Sequence, residues 1–238
     1  MDLRNRLMKL LEKGSELEKE FLESLSEDEI AASGTFEEWS ASDVLGHCAF
    51  WVQDTAVNME KIRSGEEPKW IEDYNAKNED IFNGANDSGL ETARAVFSKA
   101  VLNLQEEARQ LTEEQLEDPS YLKLEERRPA WHHILGSGYL HILMHLADYW
   151  IKHGRGELVR EAYREMEDLV LPLDDDPIWQ GTVIYNRACM EALTGDAERA
   201  LNSLKRAFDL RPDLIEWAKQ DGDLVSLHGN PAYSQLTS

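Results

Sequence analysis

At 238 residues the chain is long enough for one large domain or two, and a composition 42% hydrophobic and 30% charged suits a folded protein with a full core. Its net charge of -22 is spread over both halves instead of being held in a tail, which argues against nucleic acid or an anionic membrane as the main partner. Cys48 and Cys189 follow no redox or metal-ligand spacing and read as small buried side chains. Met1-Asp-Leu-Arg-Asn-Arg6 lacks the apolar core of a signal peptide, and no apolar run is long enough to span a membrane, so a soluble, cytoplasmic protein is expected.

Residues 3–25 carry Leu3, Leu7, Leu10, Leu17 and Phe21 at steps of three, four and seven, the pattern of a long amphipathic helix that Gly14 weakens without ending. Ser26 to Glu29 has the spacing of a capped short turn. Ser40 and Asp43 make a second capping box, so the next long helix starts just after Ser40 and runs to Gly65 and Pro68. Val44, Leu45, Cys48, Trp51, Val52, Thr55, Met59 and Ile62 define its buried face, and His47 lies on or beside it. Residues 70–83 read as a short helix or an ordered crossover. A third long helix is expected from about Leu90 to Leu111, capped by Ser88 and Glu91, with either Val96 or Phe97 facing inward. Residues 112–130, bracketed by Pro119 and Pro129, read as mainly loop. The fourth long helix covers 131–153 and ends at Gly154-Arg-Gly156; Gly136 and Gly138 require it to bend or to pack closely on a neighbour. Four such helices with one long connection predict an all-α four-helix bundle over residues 1–155.

After Gly156 the pattern changes. Leu158–Leu171 is one helical stretch, and Leu173-Asp-Asp-Asp-Pro177 stops it. Ala188, Ala200, Ala207 and Pro212, with a turn at Leu193-Thr-Gly195-Asp196, fit the tetratricopeptide (TPR) template, although Arg187 and Glu191 stand where that template has apolar or aromatic residues. Residues 156–238 are therefore expected to form a short helical TPR-like module.

The chemistry centres on His141 and His145. Four residues apart on a helix, they stack on one face and can point at one ion. Two imidazoles hold a metal weakly, and the best third ligand is His47. Three histidines leave positions open for water or substrate, the arrangement of a catalytic site, with Asp43 and Asp148 as candidate acceptors behind the rings. His132 and His133 are adjacent and diverge by about 100° on a helix, so both cannot join the site; one of them at the pocket mouth is the alternative to the surface positions expected. His153 sits at a helix end. Trp51, Tyr74, Tyr139 and Trp150 are candidates for a pocket wall, although aromatics at helical spacing are usually core. Cys48 diverges from His47 on the helix and is rejected as a nucleophile.

Trp39-Ser40-Ala-Ser-Asp43-Val-Leu-Gly-His47 resembles the Trp-Ser-x-x-Asp-Val-Leu-x-His entry to the second helix of the DinB/YfiT-like superfamily, and His141-x3-His145 is similar to the histidine pair on that family's last bundle helix. The Trp70 to Asn78 segment resembles the ClbS/DfsB branch, many of whose members lack the full triad. The likeness spans roughly residues 1–153. It implies a four-helix bundle that binds a divalent ion, commonly zinc or nickel, through His47, His141 and His145. It also implies metal-dependent hydrolysis or thiol-dependent transfer on a small electrophilic molecule. The alternative is a non-catalytic adaptor that recruits a protein or peptide through residues 156–238. A homodimer is compatible with either.

Overall fold

The computed structural model describes residues 2–85, 89–125 and 127–238, which form helices and turns without a strand, an all-α protein. No helix among the described residues is long and apolar enough to cross a membrane. The chain divides into two compact units, Met1–Tyr149 and Trp150–Ser238.

In the first unit, α1 (Leu3–Ser24) starts where the Asp2 carboxylate accepts the Asn5 N–H, and it buries Leu7, Leu10, Leu11, Leu17 and Phe21. The short α2 (Glu27–Ala31) has the capping box expected at Ser26 and Glu29. Helix α3 (Ala41–Ser64) begins at Ser40 with both halves of its box formed, and ends at Gly65, whose φ of 83° is the left-handed turn that glycine adopts without strain. A pinned crossover leads into α4 (Tyr74–Ala85). Helix α5 (Gly89–Arg109) lies along α3 and also packs on α1. It directs Phe97 into the core and leaves Val96 exposed, which decides between the two. The Ser88 half of its expected cap lies outside the described residues.

Two expectations need correction. The 112–130 stretch is not mainly loop at its start: Thr112 and Gln115 close a capping box on α6 (Glu113–Glu117), and Leu116 is fully buried. Thr-Glu-Glu-Gln is the sequence signature of such a start. The last bundle helix is also not a uniform α-helix. It runs as α7 (Ala130–Leu135), a π turn (Gly136–Leu140) and α8 (His141–Lys152), the cap N–H of His141 reaching back to Gly136 O.

Gly136 and Gly138 sit in that turn, and tertiary packing explains the second. A Cβ on Gly138 would lie 2.3 Å from Leu11 Cδ2 and 2.8 Å from Leu104 Cδ2. Facing it on α1, a Cβ on Gly14 would lie 2.3 Å from Gly138 O. The two glycines let α1 and the π turn touch at backbone distance, so Gly14, a weak point by propensity, is a packing requirement.

The second unit contains α9 (Gly156–Val170), α10 (Pro177–Leu193), α11 (Ala197–Leu210), α12 (Leu214–Ala218) and α13 (Pro231–Leu236), with 3-10 turns at Leu171–Leu173 and Gly222–Leu227. Asp176 caps α10 and Asp196 caps α11, either side of a turn through Gly195 with φ of 82°. Ala188, Ala192, Ala200 and Ala207 are buried between these two helices and let them approach closely. Arg187 and Glu191, the departures from the repeat template, belong to a buried ionic network. Arg187 donates to Glu167 at 2.8 Å and to Glu191 at 2.9 Å, Ser203 donates to Glu191 at 2.7 Å, and Arg206 donates to Glu167 at 2.8 Å. The network joins α9, α10 and α11 with its carboxylates paired.

Candidate metal centre

Helix α3 carries His47 and α8 carries His141 and His145, and the bundle brings the three together. His141 Nε2 lies 3.2 Å from His47 Nε2 and 3.0 Å from His145 Nε2. At a metal–nitrogen distance of about 2.1 Å these two separations subtend about 90 to 100°, angles that adjacent ligands of one ion adopt. Ligand atoms from the three residues lie within 4.8 Å of one another.

The π turn has a further effect on this wall. His133, Ser137, His141 and His145 follow at steps of four. On a regular α-helix each step drifts 40°, carrying His133 about 120° away from His145. The wider i→i+5 turn between Gly136 and Leu140 takes back much of that drift. All four side chains line one cleft of about 570 Å³.

Burial sets the charge state. His47 is held down to about 2 from the ordinary imidazole value of 6.5, first by burial and then by neighbouring His145 and His141. His141 is held down to about 3 by burial and then by His145. Both rings are therefore neutral near pH 7, the state that offers a lone pair to a metal. Imidazole nitrogens suit a divalent transition-metal ion. Burial pushes the Cys48 thiol upward, in keeping with an inert core cysteine.

The acceptor expected behind His47 is absent. Asp43 turns its Oδ2 to the helix start, accepting from Ser40 N at 2.9 Å and Ser40 Oγ at 2.5 Å. Nδ1 of His47 and of His141 are buried without a hydrogen-bond partner among the described residues. Orientation comes instead from packing: the Trp39 ring lies 4.7 Å from the His47 ring and 5.7 Å from the His145 ring, nearly parallel to the latter. Asp148 is exposed on α8.

The cleft also sorts the remaining candidates. Trp51 and Tyr74 line it, whereas Tyr139 and Trp150 are core residues. His132 and His133 both line it, where surface positions, or one ring at the pocket mouth, were expected. His153 lies exposed just past α8. Asp54 and Ser137 are wall residues that no sequence pattern singled out, and Trp39 and Trp70 stood in family motifs without a place in the site; they come from a helix flank, a glycine-rich turn, a cap and a crossover, and only the fold assembles them. Trp70 is pinned by its Nε1 donation to Leu122 O at 2.9 Å, while Asn58 Oδ1 accepts the Lys69 N–H at 2.7 Å.

Fold and site together define a helical bundle with three histidines converging at the base of an open, aromatic-walled cleft. The sequence profile of the DinB superfamily matches residues 10–150, more than half of the chain, and the protein belongs to that superfamily, whose members typically bind a metal. Neither the curated proteins nor the solved structures searched gave a match.

Proposed function

We propose that His47, His141 and His145 ligate one divalent ion, zinc or nickel, and that the protein acts on a small electrophilic molecule by hydrolysis or thiol-dependent transfer. The observation that carries this reading is the approach of three Nε2 atoms to 3.0 and 3.2 Å on the open wall of a cleft. Such an ion supplies Lewis acidity to a bound water, thiol or oxygen. The chain supplies the rest. Burial keeps His47 and His141 neutral, Trp39 packs on the His47 and His145 rings, and Trp51, Trp70 and Tyr74 give an apolar wall that removes water from a bound molecule. The finer ClbS/DfsB placement rests on the Trp70 to Asn78 segment, which includes the pinned crossover and the start of α4. Metal analysis of protein purified without an affinity tag tests the reading. About one equivalent is expected, lost in His47→Ala and His141→Ala; under a tenth of an equivalent in the unaltered protein would sink it.

A second reading makes the protein an adaptor whose residues 156–238, read as TPR-like, bind a protein or peptide. Ile178, Trp217 and Val225, exposed at 62%, 56% and 61%, favour it. An immobilised-protein peptide screen in which Trp217→Ala and Ile178→Ser change no interaction argues against it. Cytoplasmic residence, a homodimer and the absence of nucleic-acid or membrane partners belong to the same set of proposals.

A further inference from the structure

We infer that Ser137 is an oriented hydroxyl donor for an anionic sulfur or oxygen atom bound in the cleft, and that Thr55 and His133 hold it in that role. The inference rests on the three-histidine metal reading above.

Thr55 is 2% exposed, so its hydroxyl must find partners inside the protein. It donates to Ser137 Oγ at 2.9 Å; the Trp51 carbonyl is farther, at 3.2 Å, and a hydroxyl has one proton to give. Thr55 Oγ1 keeps a lone pair, and His133 Nε2 lies 3.4 Å from it. Since Thr55 spends its proton on Ser137, the ring must be the donor there, which requires the neutral tautomer protonated at Nε2. Burial holds His133 down to about 4, in keeping with a neutral ring. The chain runs His133 N–H to Thr55, Thr55 O–H to Ser137, and leaves the Ser137 proton to point outward.

Outward is the cleft. Ser137 lines it one turn before His141, on the wall that the π turn aligns. The far end of the chain is braced: Trp70, pinned through Leu122, packs edge-on against His133 with ring centroids 4.9 Å apart. A hydroxyl whose acceptor side is filled, beside a centre where negative charge gathers on a ligand, acts as an oxyanion-type donor. Ser137 would touch the ligand directly; Thr55 and His133 are positioning residues.

Two measurements test this. In metal-free protein, ring nitrogen NMR should find His133 protonated at Nε2, with that preference lost in Thr55→Val and kept in Thr55→Ser; a ring protonated at Nδ1 overturns the chain. In cobalt-loaded protein, titration with 2-mercaptoethanol and with acetohydroxamate is followed by the cobalt absorption bands. Ser137→Ala should bind at least one of the two about tenfold more weakly at unchanged cobalt affinity, Thr55→Val should show a smaller loss, and Thr55→Ser should restore binding. Weakening of the thiol alone identifies a thiolate, and of the hydroxamate alone an oxyanion. Cobalt bound with both affinities unchanged in Ser137→Ala overturns this inference and leaves the metal reading standing. No cobalt bound to unaltered protein overturns both.

Discussion

Each unit buries a polar cluster, and the two clusters are treated in opposite ways. In the second, Glu167 and Glu191 are 4% and 3% exposed, yet each carboxylate meets an arginine, and Ser203 adds a further donor to Glu191. In the first, three imidazoles face one another, and Nδ1 of both His47 and His141 is buried without a partner. A satisfied network fixes how helices register, because each member is costly to remove. A cluster of facing lone pairs gives the fold little and is explained by a ligand that completes it.

The largest single effect is expected where pairing is complete. Arg187→Met leaves Glu167 with only Arg206 and removes the arginine from Glu191. It should destabilise the second unit by about 3–5 kcal/mol in denaturant unfolding followed by amide exchange within α10. A loss under about 1 kcal/mol would erase the contrast, since the network would then behave like a surface pair.

Acid should act on the other unit. His47, His141 and His133 are neutral when folded, with values lowered to about 2, 3 and 4, whereas the unfolded rings take protons near 6.5. Stability is therefore full above 6.5 and falls as pH drops toward those folded values, by up to about 1.4 kcal/mol per pH unit for each group. Unfolding of metal-free protein at pH 7, 6 and 5 measures the slope. A flat profile for bundle probes would mean that the rings are not buried neutral.

The glycine contact gives a smaller and ordered pair. Gly14→Ala drives a methyl into a backbone carbonyl and should cost about 1–3 kcal/mol, even with the helix propensity gained. Gly138→Ala meets only the ends of two leucine side chains and should cost less. Thermal unfolding of the two variants checks the order; the reverse order would show that the backbone approach is not the constraint.

The smallest stability change is expected at the centre itself. His141→Leu removes a partly buried, half-paired ring and should leave metal-free stability within about 1 kcal/mol of the parent, or above it, while abolishing metal binding. A large loss of metal-free stability would instead make the cluster a structural network like that around Arg187.

The legible parts of the sequence are local. Capping boxes at Ser26 and Ser40, the left-handed stop at Gly65, the Asp-capped turn at Gly195 and the apolar stripes of α1, α3 and α5 depend on spacing along a few turns, and spacing is written in the chain. The capping box at Thr112 was equally legible, but lay in a stretch that its prolines and polarity made look like loop. Arg187 looked like a blemish in a repeat because its partner Glu167 is twenty residues away, and Glu191 because its donor Ser203 is twelve away on the next helix. Asp43 looked like a partner for His47 because one helical turn separates them; its carboxylate was already taken by Ser40.

The amino-acid sequence alone determined the helices, the all-α class, and the pairing of His141 with His145 on one face, because a helix has one repeat and side chains must follow it. Tertiary structure decided the rest. It brought His47 across ninety-four residues to within 3.2 Å of His141. Through the π turn packed against Gly14 it also placed His133 and Ser137 on the wall of His141 and His145. Such meetings depend on how helices cross and where one turn widens, and those are set by packing that no single segment encodes.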